Sequence, residues 1–114
     1  MPNMIKLVSW NVNSIRVRLP HLIELNEMVK PDIVMLQETK STDDNFPFED
    51  IKKLGFEIIT LGQKSYNGVA VLSKLPMELV ANNLPGNKKD EQARFLEVKI
   101  KIDKPFNIGS IYLP

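Results

Sequence analysis

Two apolar runs of strand length, joined by an amphipathic segment, constrain the fold more than any other feature of the sequence. The first run, residues 4–10, ends at Asn11, and the second, residues 33–36, leads into Gln37 and Glu38. A strand, a helix and a strand in this order form a βαβ unit, whose two strands lie parallel in one sheet. We therefore predict that Asn11 and Glu38 reach the same edge of that sheet.

The segment between the two runs is predicted to be a helix that has Pro20 in its first turn and ends before Pro31. Proline is tolerated in the first turn because its missing N–H would have no acceptor there. The residue before a proline, in contrast, is pushed out of the helical region. The apolar stripe expected to face the sheet consists of Leu22, Ile23, Leu25, Met28 and Val29.

Beyond this unit the sequence favours one short helix and then strands. The helix is predicted over residues 48–54, with Gly55 as its stop. Asn67-Gly68 is a tight-turn signal because both residues tolerate positive φ. The predicted strands cover residues 56–61, 68–73, 77–81, 94–102 and 106–112. The sequence thus predicts an α/β fold with a mixed sheet that begins with the βαβ unit.

Composition limits the classes of protein to which this chain can belong. The 114 residues make one domain at most, and a net charge of +1 is not the footprint of a protein that binds nucleic acid by bulk charge. The chain has no cysteine, which excludes disulfides and thiolate metal sites. It shows neither a secretory signal nor the ~20 apolar residues of a membrane helix, so a cytoplasmic protein is expected. The chain ends directly after a strand, which predicts a piece of a larger fold.

Glu38 is the strongest candidate for chemistry. It follows a buried-strand pattern, and ligands bind open α/β sheets beyond the carboxyl ends of strands. Because Mg²⁺ keeps most of its waters, one or two protein carboxylates suffice for a site; the alternative is a solvated acid. Asn11 either ligates the ion, orients a catalytic carboxylate or forms a turn, and Asn13 shares that role or shapes the turn.

Other polar residues have two interpretations each. Tyr112 ends the last predicted strand and is either a site residue at the same edge or a buried ring with a solvated hydroxyl. Lys40, Lys64 and Arg94 either approach phosphates or are surface charges, and His21 is expected on the helix surface. The sequence contains no Ser/His/Asp arrangement, no Gly-rich phosphate loop and no metal-spaced His/Cys cluster.

Four segments, in this order, resemble the exodeoxyribonuclease III family of the endonuclease/exonuclease/phosphatase superfamily. They are residues 9–16 (Ser-Trp-Asn-Val-Asn-Ser-Ile-Arg), 31–40 (Pro-Asp-Ile-Val-Met-Leu-Gln-Glu-Thr-Lys), 62–70 (Gly-Gln-Lys-Ser-Tyr-Asn-Gly-Val-Ala) and 111–114 (Ile-Tyr-Leu-Pro). The resemblance implies a DNase I-like four-layer α/β sandwich and Mg²⁺- or Mn²⁺-dependent hydrolysis of DNA. It implies abasic-site cleavage and 3′→5′ exonuclease activity in base excision repair, on double-stranded DNA, by an enzyme that is monomeric at full length.

The resemblance also implies roles for individual residues. By position, Glu38 is similar to the family's metal ligand and Asn11 to its metal-site amide. Tyr112 resembles the active-site tyrosine that contacts the scissile phosphate. Arg94 occupies a recurrent family position whose role we leave open, and Lys40 is a candidate for substrate binding.

The sequence departs from the family pattern in its length. Family members are longer, and their later half supplies an Asp-x-Asn motif and a terminal Asp-His pair; Asp103 is followed by Lys and Pro and does not fit. We therefore expect residues 1–114 to be a single partial domain, the amino-terminal half of the fold, with about half of the active site. The alternatives are a superfamily phosphatase acting on lipid or small phosphoesters, or a non-catalytic truncated remnant.

Overall fold

The computed structural model describes residues 4–62, 67–82 and 95–111. Its helices and strands follow the predicted order, with a 3₁₀ turn at Asp43–Asn45. The elements are β1 (Leu7–Asn11), α1 (Ile15–Val29), β2 (Ile33–Gln37), α2 (Phe48–Lys52), β3 (Glu57–Leu61), β4 (Val69–Ser73), β5 (Met77–Ala81), β6 (Phe95–Ile100) and β7 (Phe106–Ile111).

The strands form two sheets. The first has the order β1-β2-β4-β3, and the second has the order β5-β6-β7. β1 and β2 are parallel, whereas every other pair is antiparallel, so the first sheet is mixed and begins with the predicted βαβ unit. Asn11 lies opposite Gln37, and Gln37 lies opposite Val69. The edge marked by these three residues, where β1 and β2 end and β4 begins, is called the polar rim below.

Helix α1 begins earlier than predicted. It starts at Ile15, so that Pro20 lies inside the helix and not in its first turn, and the prediction for Pro20 was wrong. The cause is a tertiary contact: Ser14 N and Ile15 N donate to the backbone oxygens of Glu38 and Thr39. These acceptors supply partners for N–H groups that a helix start leaves without one, and they extend the helix towards β2. The predicted end before Pro31 is confirmed.

The face that α1 buries is narrower than the predicted stripe. Leu22 is fully buried and Leu25 packs against the core, but Ile23 and Met28 are exposed, Met28 by 82%. Val29, the last residue of α1, is exposed as well, so the prediction that it belongs to the buried stripe was also wrong. Met28 follows Leu22 by six residues, which at about 3.6 residues per turn places the two on different faces. The prediction that Ile23 and Met28 widen the buried stripe was therefore wrong. No helix in the described ranges is long and apolar enough to cross a membrane.

Two apolar cores separate three layers. The helices cover one face of the first sheet, around Ile15, Leu22, Leu36, Ile51 and Leu72. The other face packs against the second sheet, and this core contains Ile33, Val69, Val71, Leu96, Val98 and Ile100. The continuous apolar run of β2 is thus covered on both faces, as predicted. Every second residue of β6 is buried, so this strand has one face in the core between the sheets.

Replacing Leu72 tests the core between the helices and the first sheet. Leu72 is fully buried, whereas Leu79 of β5 is 49% exposed. We expect Leu72→Ala to lower the free energy of unfolding by about 3 kcal/mol, because it removes buried methyl groups and leaves a cavity. The matched variant Leu79→Ala should cost about 0.5 kcal/mol. Urea denaturation measures both values, and equal losses would contradict the described packing.

Candidate active site

The loop that follows β2 forms the centre of the polar rim. Glu38 and Lys40 have φ of 53° and 51°, in the left-handed region that residues other than glycine rarely adopt. Such a conformation persists where the surroundings hold it. On one side the loop is held by the segment before β4: Thr39 N donates to Gly68 O (3.1 Å) and Lys40 N to Asn67 O (2.9 Å). The positive φ predicted for Asn67 and Gly68 is confirmed, at 57° and 95°.

The turn between β1 and α1 holds the same loop from the other side. Val12 N donates to Gln37 O (3.0 Å), Ser14 N to Glu38 O (2.9 Å) and Ile15 N to Thr39 O (3.0 Å). The backbone of residues 37–40 is therefore hydrogen-bonded to two separate segments of the chain. Glu38 is fixed at its backbone before any ligand contacts its carboxylate.

Three polar residues at the polar rim are linked in series by hydrogen bonds, one of which comes from a backbone N–H. Asn11 Oδ1 accepts from Asn13 N (3.2 Å), and Asn13 Oδ1 accepts from Lys40 Nζ. Asn13 has φ 47° and shapes the turn, one of the two roles predicted for it. The series orients the Asn11 amide and places the Lys40 ammonium in the same group of residues.

The donor set fits a hydrated hard cation. Asn11 is the last residue of β1 and Glu38 directly follows the parallel strand β2, with Asn11 opposite the residue before Glu38. A carboxylate and an amide oxygen are suitable ligands for Mg²⁺, which keeps several waters. Asn11 Oδ1 has a second lone pair after accepting from Asn13 N. Among the described residues no group of three or more His, Cys, Asp or Glu is placed to hold a metal ion.

A polar contact ties the two sheets together beside Glu38. Gln37 Nε2 donates to Ser110 Oγ (3.0 Å), and Ser110 Oγ donates to Leu36 O (2.9 Å). Ser110 is almost fully buried, and Gln37 Nε2 also lies 3.3 Å from Ser9 Oγ at the exposed side of β1. The carboxyl end of β7 therefore lies at the polar rim.

The remaining predicted site residues have different outcomes. Tyr112, Arg94 and Lys64 lie outside the described residues, so their predicted roles stay predictions. Lys40 does lie at the polar rim with Asn11 and Glu38. His21 is exposed on α1, as predicted.

Sequence reasoning missed two parts of this arrangement. Ser110 shares the inward face of β7 with Phe106 and Ile108, and a polar residue on an apolar face is a signal that a buried partner exists. Thr39 is fully buried next to two charged residues, and nothing in the local pattern distinguishes it from a solvated threonine.

Comparison with known proteins places these features in a family. The model described as the endonuclease/exonuclease/phosphatase family matches residues 8–109. The chain is similar to exodeoxyribonuclease III of Haemophilus influenzae, with 34% identity over 99 residues, which are 86% of this chain and 37% of that protein.

Solved structures give the same result. The AP endonuclease from Archaeoglobus fulgidus matches with a TM-score of 0.78 and 40% identity over 85% of this chain and 37% of that chain. The 3′ phosphatase NExo from Neisseria, bound to a product DNA hairpin, matches with a TM-score of 0.81 and 38% identity over 85% of this chain and 38% of that chain. The chain thus spans little more than a third of the length of these relatives.

Removing the hydroxyl of Ser110 tests the tie between the sheets. Ser110→Ala leaves Leu36 O and Gln37 Nε2 without this partner, so the free energy of unfolding should fall by about 1.5 kcal/mol. The control Ser9→Ala removes an exposed hydroxyl near the same amide and should cost about 0.5 kcal/mol or less. Denaturant titration of both variants gives the two values. A Ser110→Ala variant as stable as Ser9→Ala would show that the tie contributes nothing.

Proposed function

Because the chain belongs to the endonuclease/exonuclease/phosphatase family, we propose that it supplies the amino-terminal half of a metal-dependent DNA-repair nuclease. The reaction is hydrolysis of phosphodiesters at abasic sites and at 3′ ends of double-stranded DNA. The observation that carries the proposal is the placement of Glu38 and Asn11 at the ends of adjacent parallel strands, on a backbone held from two sides.

The names of the relatives support DNA as the substrate class. They include an exodeoxyribonuclease, an AP endonuclease and a 3′ phosphatase bound to a DNA hairpin. The last of these favours a DNA end, in preference to a lipid or small phosphoester, as the substrate of any phosphatase activity. A net charge of +1 means that specific contacts with the phosphates, and not bulk charge, must bring the DNA to this surface.

In this proposal the residues of the polar rim bind the metal ion and orient the phosphate of the substrate. Glu38 and Asn11 hold Mg²⁺ or Mn²⁺, which when bound stabilises the negative charge that develops on the phosphate and the leaving group. Lys40, anchored by Asn13, adds a positive charge that attracts the phosphate. Tyr112 contacts the scissile phosphate, and Arg94 is a further candidate for substrate binding.

The other half of the chemistry is assigned to the part of the relatives that this chain does not match. Hydrolysis also needs a base for the attacking water and a group that supports the transition state. The first sheet ends at β1, and within the described residues no strand pairs with its outer side. Exposed apolar side chains lie nearby on β1 and α1, among them Leu7, Val17 and Met28. An additional strand beside β1 would bring its residues next to Asn11, which supports residues 1–114 as one partial domain.

Metal binding by Glu38 is testable on the chain itself. We expect Mn²⁺ to broaden the amide NMR signals around Asn11 and Glu38, and Glu38→Gln to remove this effect because the amide lacks the carboxylate charge. Glu57→Gln is the matched control, since Glu57 lies opposite Ser73 at the other end of the first sheet. Broadening that survives Glu38→Gln, or disappears in Glu57→Gln, would contradict the assignment.

Nuclease activity should require the remaining length. With Mg²⁺, the 114-residue chain is expected to leave an abasic-site duplex uncut, because the proposal assigns the base for the water to the part of the relatives that this chain does not match. A version extended by the remaining length of its relatives should incise the duplex, and Glu38→Gln should reduce that incision to background. The measurement is gel-resolved cleavage of a labelled duplex.

Two results would count against this proposal. Cleavage by the pure 114-residue chain that Glu38→Gln abolishes would show that the half-site description is wrong. No cleavage by either version would favour the superfamily phosphatase or the non-catalytic remnant. Release of inorganic phosphate from a lipid phosphoester, a small phosphoester or a 3′-phosphorylated duplex would favour the phosphatase, and no release from any of them would favour the remnant.

A further inference from the structure

Gly68 packs directly against the loop that carries Glu38. Its backbone φ is +95°, and a Cβ added there would overlap Thr39 Oγ1 and lie 3.2 Å from Lys40 N. Both neighbours belong to the loop, and one of them is backbone, which moves less easily than a side chain. The loop therefore lies as close to the start of β4 as it does because position 68 has no side chain.

The side chain of Thr39 fills the space next to Gly68. It is fully buried, and its Oγ1 has no hydrogen-bond partner within the described ranges. A buried hydroxyl without a partner costs free energy, so the benefit of Thr39 is the space that its side chain fills against Gly68.

The contact reaches Glu38 through the backbone. Thr39 N donates to Gly68 O, while Thr39 O accepts from Ile15 N, so the peptide units of Thr39 are fixed on both sides. Glu38 immediately precedes them with φ 53°. A change in the position of Thr39 must rotate the backbone of Glu38, and with it the direction in which the carboxylate points.

Resting on the proposed function, in which Glu38 is a metal ligand, we propose that Gly68 and Thr39 are positioning residues for that ligand. Their close packing holds Glu38 in the left-handed conformation and directs its carboxylate to the polar rim beside Asn11. The Asn67-Gly68 segment before β4 thus acts on the loop after β2, which its hairpin-like sequence does not suggest.

The test compares two glycine replacements in the 114-residue chain. Gly55 also has a positive φ, +98°, but an added Cβ there meets nothing within 4 Å. Gly68→Ala and Gly55→Ala therefore introduce similar backbone strain, and of the two, Gly68→Ala introduces the overlap with Thr39. We expect Gly68→Ala to weaken Mn²⁺ binding about ten-fold, measured by NMR broadening, and Gly55→Ala to leave it unchanged.

Amide hydrogen exchange gives a second readout that does not depend on the metal. Gly68→Ala should speed the exchange of Thr39 and Lys40, whose N–H groups donate to the segment before β4, while Gly55→Ala should not. The double variant Thr39→Ala/Gly68→Ala removes the overlapping hydroxyl. It is expected to bind Mn²⁺ about as well as Thr39→Ala alone.

The experiments distinguish a failure of the positioning role from a failure of the proposed function. Equal Mn²⁺ binding and equal exchange in Gly68→Ala and Gly55→Ala would overturn the positioning role, as would a double variant that binds Mn²⁺ more weakly than Thr39→Ala alone. If the wild-type chain shows no response to Mn²⁺ that depends on Glu38, the proposed function fails. A positioning role for a metal ligand fails with it, and the exchange data then decide whether Gly68 fixes the loop backbone.

Discussion

The structure depends on the hydrogen bonds that surround the backbone of residues 37–40. The turn after β1 donates to this segment from one side, and the segment itself donates to the residues before β4 on the other. These bonds start helix α1, continue the pairing of β2 with β4 and hold Glu38 at a positive φ. Since left-handed backbone at a residue other than glycine costs of the order of 1–2 kcal/mol, the surrounding bonds and packing must offset that cost.

The second sheet is held against the first by apolar packing and by hydrogen bonds to the end of β2. Ile33, Val69 and Val71 bury their side chains against β6, and this packing fixes the distance between the sheets. Apolar contacts are not directional, so by themselves they oppose sliding of one sheet over the other only weakly. The hydrogen bonds of Ser110 with Leu36 and Gln37 are directional, so they set the position of the end of β7 along β2. The residue beside the proposed metal ligand thus also aligns the two sheets.

Local patterns in the sequence predicted the elements, their order and the parallel placement of Asn11 and Glu38, because these follow from periodicity and from the βαβ connection. They did not predict the start of α1, since that depends on acceptors from Glu38 and Thr39 that lie more than twenty residues away. The hydrogen bonds of Ser110 were not predicted for the same reason, because its partners Leu36 and Gln37 are also distant in the sequence. At Met28 the error was one of angle: its spacing from Leu22 does not keep the two on one helical face.

The proposed metal ligands are positioned by nearby segments of this chain. The hydrogen bonds that hold the backbone around Glu38 and the amide of Asn11 come from residues 11–68, so the proposed metal seat is supported by the βαβ unit and the segment before β4. Donors from the remaining length of the relatives would meet this seat across the open side of β1, next to Asn11. A ligand set that is already rigid requires little reorganisation when those donors arrive, which is the physical advantage of pre-organisation. On this argument the unusual backbone of Glu38 serves the complete active site, although its cost falls entirely on this part of the chain.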